Sequence, residues 1–136
     1  MNREQAYEFL NKMYRDIMLD LNIDKIPDYF KHHYIQVTDG VEIDIHGFKD
    51  HMDTLKDLVE EISLSPFYDF LFDEEKQKAT LRYKVDVKKK KGNSGVVEVI
   101  AIFEFEDFKI IRCNELTCAL NNCDEFKDIG KINIKN

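Results

Sequence analysis

At 136 residues the chain has the size of one domain, long enough to bury roughly two-thirds of its unfolded surface. Acidic residues outnumber basic ones 27 to 20, and the net charge of −7 repels phosphate backbones and anionic membranes, which sets both aside as partners. No window approaches the roughly 20 apolar residues of a membrane span, and the opening MNREQAYEFL has no apolar run of signal-peptide length. Residues 2–21 read as a helix, with Ala6, Leu10, Met13, Ile17 and Leu21 recurring at steps of three and four. Tyr14 and Met18 widen that stripe. Asn22 offers a stop, and Asp24 an N-cap for a short second helix through Pro27 whose apolar side is Tyr29 and Phe30.

Strand signals take over from Tyr34. Asp39-Gly40 is a hairpin dipeptide, suited to the two positive φ angles of a type I′ turn. Val41, Ile43 and Ile45 then alternate with Glu42, Asp44 and His46, which predicts one buried and one wet face. Gly47 is expected to open a third helix, with Phe48, Met52, Leu55, Val59 and Ile62 as its stripe and Ser65-Pro66 as its end. The rest reads as β. Phe67 to Asp73 is one strand, and Ala79, Leu81, Tyr83, Val85 and Val87 define a second by strict alternation. After the loop KKKKGNSG, Val96 to Glu106 is apolar on both faces, as expected of a covered central strand. Asp107 makes the turn into a last strand ending at Leu120, and residues 121–136 read as a loosely ordered polar tail. This order predicts a single α+β domain over residues 1–136 with a curved, mainly antiparallel sheet.

Three cysteines, an odd number, predict no disulfide framework; with the unmarked N-terminus they point to a reducing cytoplasm. Cys113 and Cys118, five apart on a strand, fall on opposite faces. The pairs His32-His33 and His46/His51 miss the i, i+4 spacing of helical metal ligands, so neither metal nor cofactor is expected. Lys88 to Lys91 lack the interleaved aromatics of a single-strand binding groove and read as a solvated loop.

Three stretches carry a resemblance: the passage ending YIQVTD at residues 34–39, the junction IHGF at 45–48 followed by DHMDTLKDL, and the hairpin IAIFEFEDFKIIRCNELT. In order and spacing the chain resembles the nuclear-transport-factor-2-like superfamily, in particular its SnoaL-like and ketosteroid-isomerase-like group, over about residues 3–120. The resemblance implies a cone-shaped, cystatin-like sheet wrapped on three N-terminal helices, a pocket at the wide end, and homodimers formed through the sheet. By position it implies Asp39 as a general base, Tyr14 as an oxyanion donor and His46 at the cone's mouth. The group's mid-strand acid is missing here, where Ala101 and its neighbours are apolar. Tyr14, Tyr29, Phe30 and Tyr34 are the expected contacts to a small apolar or aromatic molecule.

The bland reading accounts for some of the same residues. Asp before Gly is ordinary turn chemistry, and a tyrosine on an apolar stripe is ordinary core. Three functions therefore stand open: a pocket protein for a small apolar or aromatic ligand; an isomerase, cyclase or dehydratase using Asp39 or a histidine as base; and a protein-interaction module. Ile100 and Ile102, opposite the core face of their strand, favour a homodimer.

Overall fold

The computed structural model describes residues 1–132. Helix α1, Arg3–Met13, opens with a capping box: the Asn2 side chain accepts from the Gln5 amide (2.9 Å) and the Gln5 side chain from the Asn2 amide (2.8 Å). It continues as a π-helical segment, Tyr14–Leu19, and stops at Leu21, whose φ is 48°. Ala6, Leu10, Met13, Tyr14 and Ile17 are buried, as their spacing predicts. Asp24 does not cap the second helix. It sits inside a 3-10 turn, Ile23–Lys25, that leads into the short α2, Ile26–Tyr29.

Strands β1 (Phe30–Thr38) and β2 (Val41–Asp44) pair through the expected turn, with φ of 50° at Asp39 and 83° at Gly40. Helix α3, Ile45–Leu58, begins two residues before Gly47, because the Asp44 side chain caps it by accepting from the Gly47 amide (2.9 Å). Gly47 serves a close approach instead: a Cβ there would lie 2.9 Å from Ile43 Cβ. The helix also ends sooner than its stripe suggested. Val59 turns extended and Val59–Leu64 form β3, paired antiparallel with β5. A register shift between Val59 and Glu61 lets Val59 and Ile62, three apart, both turn inward, so a bulged strand imitates a helical spacing.

Strands β4 (Tyr68–Asp73), β5 (Lys78–Lys89), β6 (Ser94–Glu106) and β7 (Lys109–Ala119) complete a strongly bent sheet in the order β2-β1-β7-β6-β5-β3, with β4 also on β5. Only β1 and β7 run parallel among these pairs. The alternating residues of β5 and β6, from Ala79 to Val87 and from Val97 to Phe105, are all buried against α1, the π-helical segment and α3. Among the described residues the opposite face of β6 is left open at Ile100 and Ile102, which are 42% and 41% exposed. Among the described residues no helix is long and apolar enough to cross a membrane.

The segment after Asn121 departs from the expected loose tail. A short helix α4, Cys123–Phe126, puts Phe126 (0% exposed) against Gly95, where any Cβ would stand 2.4 Å from its ring. The hairpin loop that read as merely solvated holds this helix: Lys89 pairs with Glu125 (3.6 Å), and Asn93 donates to the same carboxylate from its amide (3.1 Å) and side chain (3.0 Å). Ile129 is buried too. The expectation for residues 133–136 lies outside the described residues.

Candidate functional site

The π-helical segment, α3 and the concave face of the sheet surround a cavity of about 70 Å³, which Ile129 and Gly130 of the C-terminal segment also line. Its wall is mostly apolar, and its polar groups come chiefly from two neighbouring strands. On β1, Tyr34, Gln36 and Thr38 turn inward; on β7, a one-residue bulge decides which residues do. The hairpin starts in register Glu106 to Lys109 and Phe105 to Ile110, but Glu104 faces Arg112. Ile111 is the extra residue, and from there Cys113, Glu115 and Thr117 face the cavity.

These side chains form a one-way hydrogen-bonded row. The Tyr34 hydroxyl donates to Gln36 Oε1 (2.8 Å), Gln36 Nε2 donates to Thr38 Oγ1 (3.1 Å), and the Thr38 hydroxyl donates to Glu115 Oε1 (2.8 Å). Each donor is polarised by the bond it receives, so the row focuses on the carboxyl at its end. Glu115 as a residue is half-buried and also borders the open sheet face, while its carboxyl is turned to Thr38 and desolvated. Burial pushes that carboxyl up from 4.5 to about 7; the Thr38 hydrogen bond opposes the rise and the charge of Asp39 adds to it. Glu115 is thus poised between acid and base at neutral pH.

The other titratable groups on the wall are locked. Burial first raises both Tyr14 and Tyr83 well above 10; the neighbouring Tyr83 (ring centroids 4.9 Å apart) adds to the rise at Tyr14, and the Glu115 charge adds to it at Tyr83, where the contact with Tyr14 opposes it. Burial raises Tyr34 in the same way, so all three can donate hydrogen bonds but do not ionise. Burial also lifts the Cys113 thiol well above its ordinary value, leaving it an inert neutral group. His51 Nδ1 lies 2.7 Å from the Ile132 carbonyl oxygen, which can only accept, so that nitrogen carries the proton. Burial lowers the His51 pKa below 6.5 and keeps the ring neutral.

Of the residues singled out from sequence, Tyr14, Phe30 and Tyr34 meet at this cavity, with Phe30 edge-on to Tyr34 at 4.6 Å. Tyr29, Asp39 and His46 are not on its wall. Tyr29 turns away against Phe9 (5.3 Å) and donates its hydroxyl to Asp16. His46, in the first turn of α3, is exposed. Asp39 sits at the hairpin tip and turns to β7, accepting from the Thr117 amide (2.8 Å), the Thr117 hydroxyl and Lys131 (3.0 Å). Burial pulls its pKa up, but these three bonds outweigh it, so the carboxyl is held below 3.8, away from the range of a general base. Glu115, the acid that sequence reasoning missed, is the cross-strand partner of Ala101, the position where a carboxyl seemed lacking. Among the described residues no group of three or more His, Cys, Asp or Glu side chains is arranged to hold a metal.

No family model and no curated protein matches the sequence. Solved structures do match the fold. PrhC from Penicillium brasilianum superposes with a TM-score of 0.78 at 12% identity, over 93% of this chain and 86% of its own. A candidate isomerase from Bacillus subtilis gives 0.74 at 16% identity, over 99% and 100% of the two chains. A candidate polyketide cyclase from Acidithiobacillus ferrooxidans gives 0.72 at 13% identity, over 93% and 95%. With its bent, mainly antiparallel sheet wrapped on the helices, the chain shares the cone-shaped α+β fold of these structures, the fold that the resemblance to the nuclear-transport-factor-2-like superfamily implies.

Proposed function

We propose that the protein encloses a small, mainly apolar or aromatic molecule in the cone and presents to it one proton-exchanging carboxyl, Glu115. The observation that carries this reading is the row from Tyr34 through Gln36 and Thr38, which ends on a carboxyl inside an otherwise apolar, aromatic cavity. An acid kept near neutrality by burial costs the fold stability, and such groups cluster where proton transfer or ligand polarity needs them. The same wall suits isomerase, cyclase or dehydratase chemistry. Glu115 would take or give the proton, and the un-ionised Tyr14 and Tyr83 would donate to a developing oxyanion, a contribution worth roughly 10²–10³ in rate per donor. The candidate isomerase and cyclase among the structural neighbours are compatible with that chemistry.

Methionine provides the test. Met13, Met18 and Met52 line the cavity, while Met1 lies elsewhere, its amino group on Gln77. Methyl resonances of ¹³C-labelled methionine are followed during titration with small aromatic and apolar compounds. Binding in the cone moves three methyls and spares Met1; compounds that move none, or all four alike, argue against an internal site.

A second surface supports an assembly. Ile100, Ile102 and Leu116 of the open sheet face border an apolar depression with Val37. Residues of this kind are seldom left in water, and a homodimer through this face is part of the proposal.

A further inference from the structure

We infer that the molecule taken up by the cavity is a small organic cation of the amine class, its ammonium group held by Glu115 among the surrounding aromatic rings. The inference rests on the cavity reading above and adds the sign of the ligand's charge.

The wall is unbalanced in charge. Among the described residues it contains one carboxyl and no lysine or arginine. The cation next to it in the fold, Lys131, is engaged with Asp39 (3.0 Å) and Asp128 (3.2 Å). Glu115 receives the Thr38 hydroxyl at 2.8 Å and, weakly, the Cys113 thiol at 3.9 Å. A carboxylate offers about four acceptor sites, so capacity is left for a charged donor. The rings of Tyr14, Tyr34, Phe48 and Tyr83 complete the surroundings, and aromatic faces attract cations most strongly where water is excluded.

Other ligand charges fit less well. An anion would face Glu115 with no counter-charge on the wall, an arrangement that rejects carboxylates and phosphates. A neutral molecule would leave the carboxyl to bear its own desolvation, which it meets by holding its proton. An ammonium group supplies what is missing, and at about 70 Å³ the cavity suits one with few carbons.

Three small probes of similar shape and different charge separate these cases: isopropylammonium, propan-2-ol and isobutyrate. Binding is read at pH 8 from the methyls of Met13, Met18 and Met52, which line the cavity. Isopropylammonium is expected to bind at least about tenfold more tightly than the alcohol, and the anion not at all. Glu115→Gln should abolish the preference for the ammonium while leaving alcohol binding in place.

Isopropylammonium stays fully charged up to pH 8, so the pH dependence comes from the protein alone. The phenols of Tyr14, Tyr34 and Tyr83 and the thiol of Cys113 stay neutral through pH 8, Asp39 and Lys131 stay charged, and His51 is neutral above 6.5. The preference should therefore fall as pH drops through about 7, following Glu115. Equal affinity for isopropylammonium and the alcohol at pH 8, a preference that survives in Glu115→Gln, or binding of none of the three would overturn the inference. The first two outcomes leave the enclosed site intact, and the wider compound titration decides that question separately.

Discussion

Replacing Glu115 by glutamine should make the protein more stable, and increasingly so as pH rises. A carboxyl whose folded pKa is about 7 and whose unfolded pKa is near 4.5 favours folding while it is protonated. Its contribution is fully present below pH 4.5 and is lost as pH rises through about 7. That displacement corresponds to about 3 kcal/mol, a large part of a typical ~5–15 kcal/mol stability. Glutamine keeps an oxygen that can accept from the Thr38 hydroxyl but never acquires the buried charge. Urea unfolding of both proteins at a series of pH values from 4.5 to 8 gives the difference directly. His51 loses stability in the opposite direction, as pH falls through 6.5, but it is common to both proteins and cancels. Asp39, its pKa held below 3.8, gives up its contribution only under more acid conditions. The stability advantage of the glutamine variant should grow by up to about 3 kcal/mol across the range and level off above pH 7.5. A difference that stays flat, or shrinks with pH, would refute the assignment of a desolvated carboxyl.

Other expectations concern the cover and the outer face. Lys131→Met removes the ion pair at 3.0 Å that ties the C-terminal segment to Asp39. In a Cys118→Ser, Cys123→Ser background it should speed labelling of the buried Cys113 by a small methanethiosulfonate several-fold with little change in melting temperature; an unchanged rate would mean that the segment does not control access. Gly95→Ala drives a methyl group into Phe126 and should lower the melting temperature by several degrees, as a misfit in a packed core costs about 1–3 kcal/mol. Sedimentation should give a dimer mass at tens of micromolar and a folded monomer for Ile102→Asp; a monomeric parent protein would dispose of the sheet-face assembly.

Most of the fold was legible because alternation and turn chemistry agree along β1, β2, β5 and β6. The strict period of two from Ala79 to Val87 admits no other reading, and Asp39-Gly40 sets the hairpin that positions β1. The end of α3 was not legible. Val59 and Ile62 continue a helical stripe at a spacing that a bulged strand satisfies equally well. The C-terminal segment was misread because Phe126 and Ile129 are isolated apolar residues among charged ones, and their burial depends on the distant Gly95 and the loop beside it.

The site depended on one residue of register. Extending the pairing of Phe105 with Ile110 without interruption turns Arg112, Asn114 and Leu116 inward, which contradicts their polarity and gives no acid in the core. The bulge at Ile111 exchanges them for Cys113, Glu115 and Thr117. The adjacent pair Ile110-Ile111, with Cys113 as the next apolar residue, was the available signal that the alternation slips there. Asp39, by contrast, was visible because its place in a turn is local, but its ties to Thr117 and Lys131 are long-range and could not be read from its neighbours.

The central claim is that the cone holds a carboxyl poised near neutrality. A ¹³C titration of the glutamate side-chain carboxyl resonances, with Glu115 assigned by its disappearance in Glu115→Gln, tests this most directly. The Glu115 resonance should titrate with a midpoint at about 7. A Glu115 midpoint near the ordinary 4.5 would mean that its carboxyl is solvated, and would contradict the enclosed acid on which the proposed function rests.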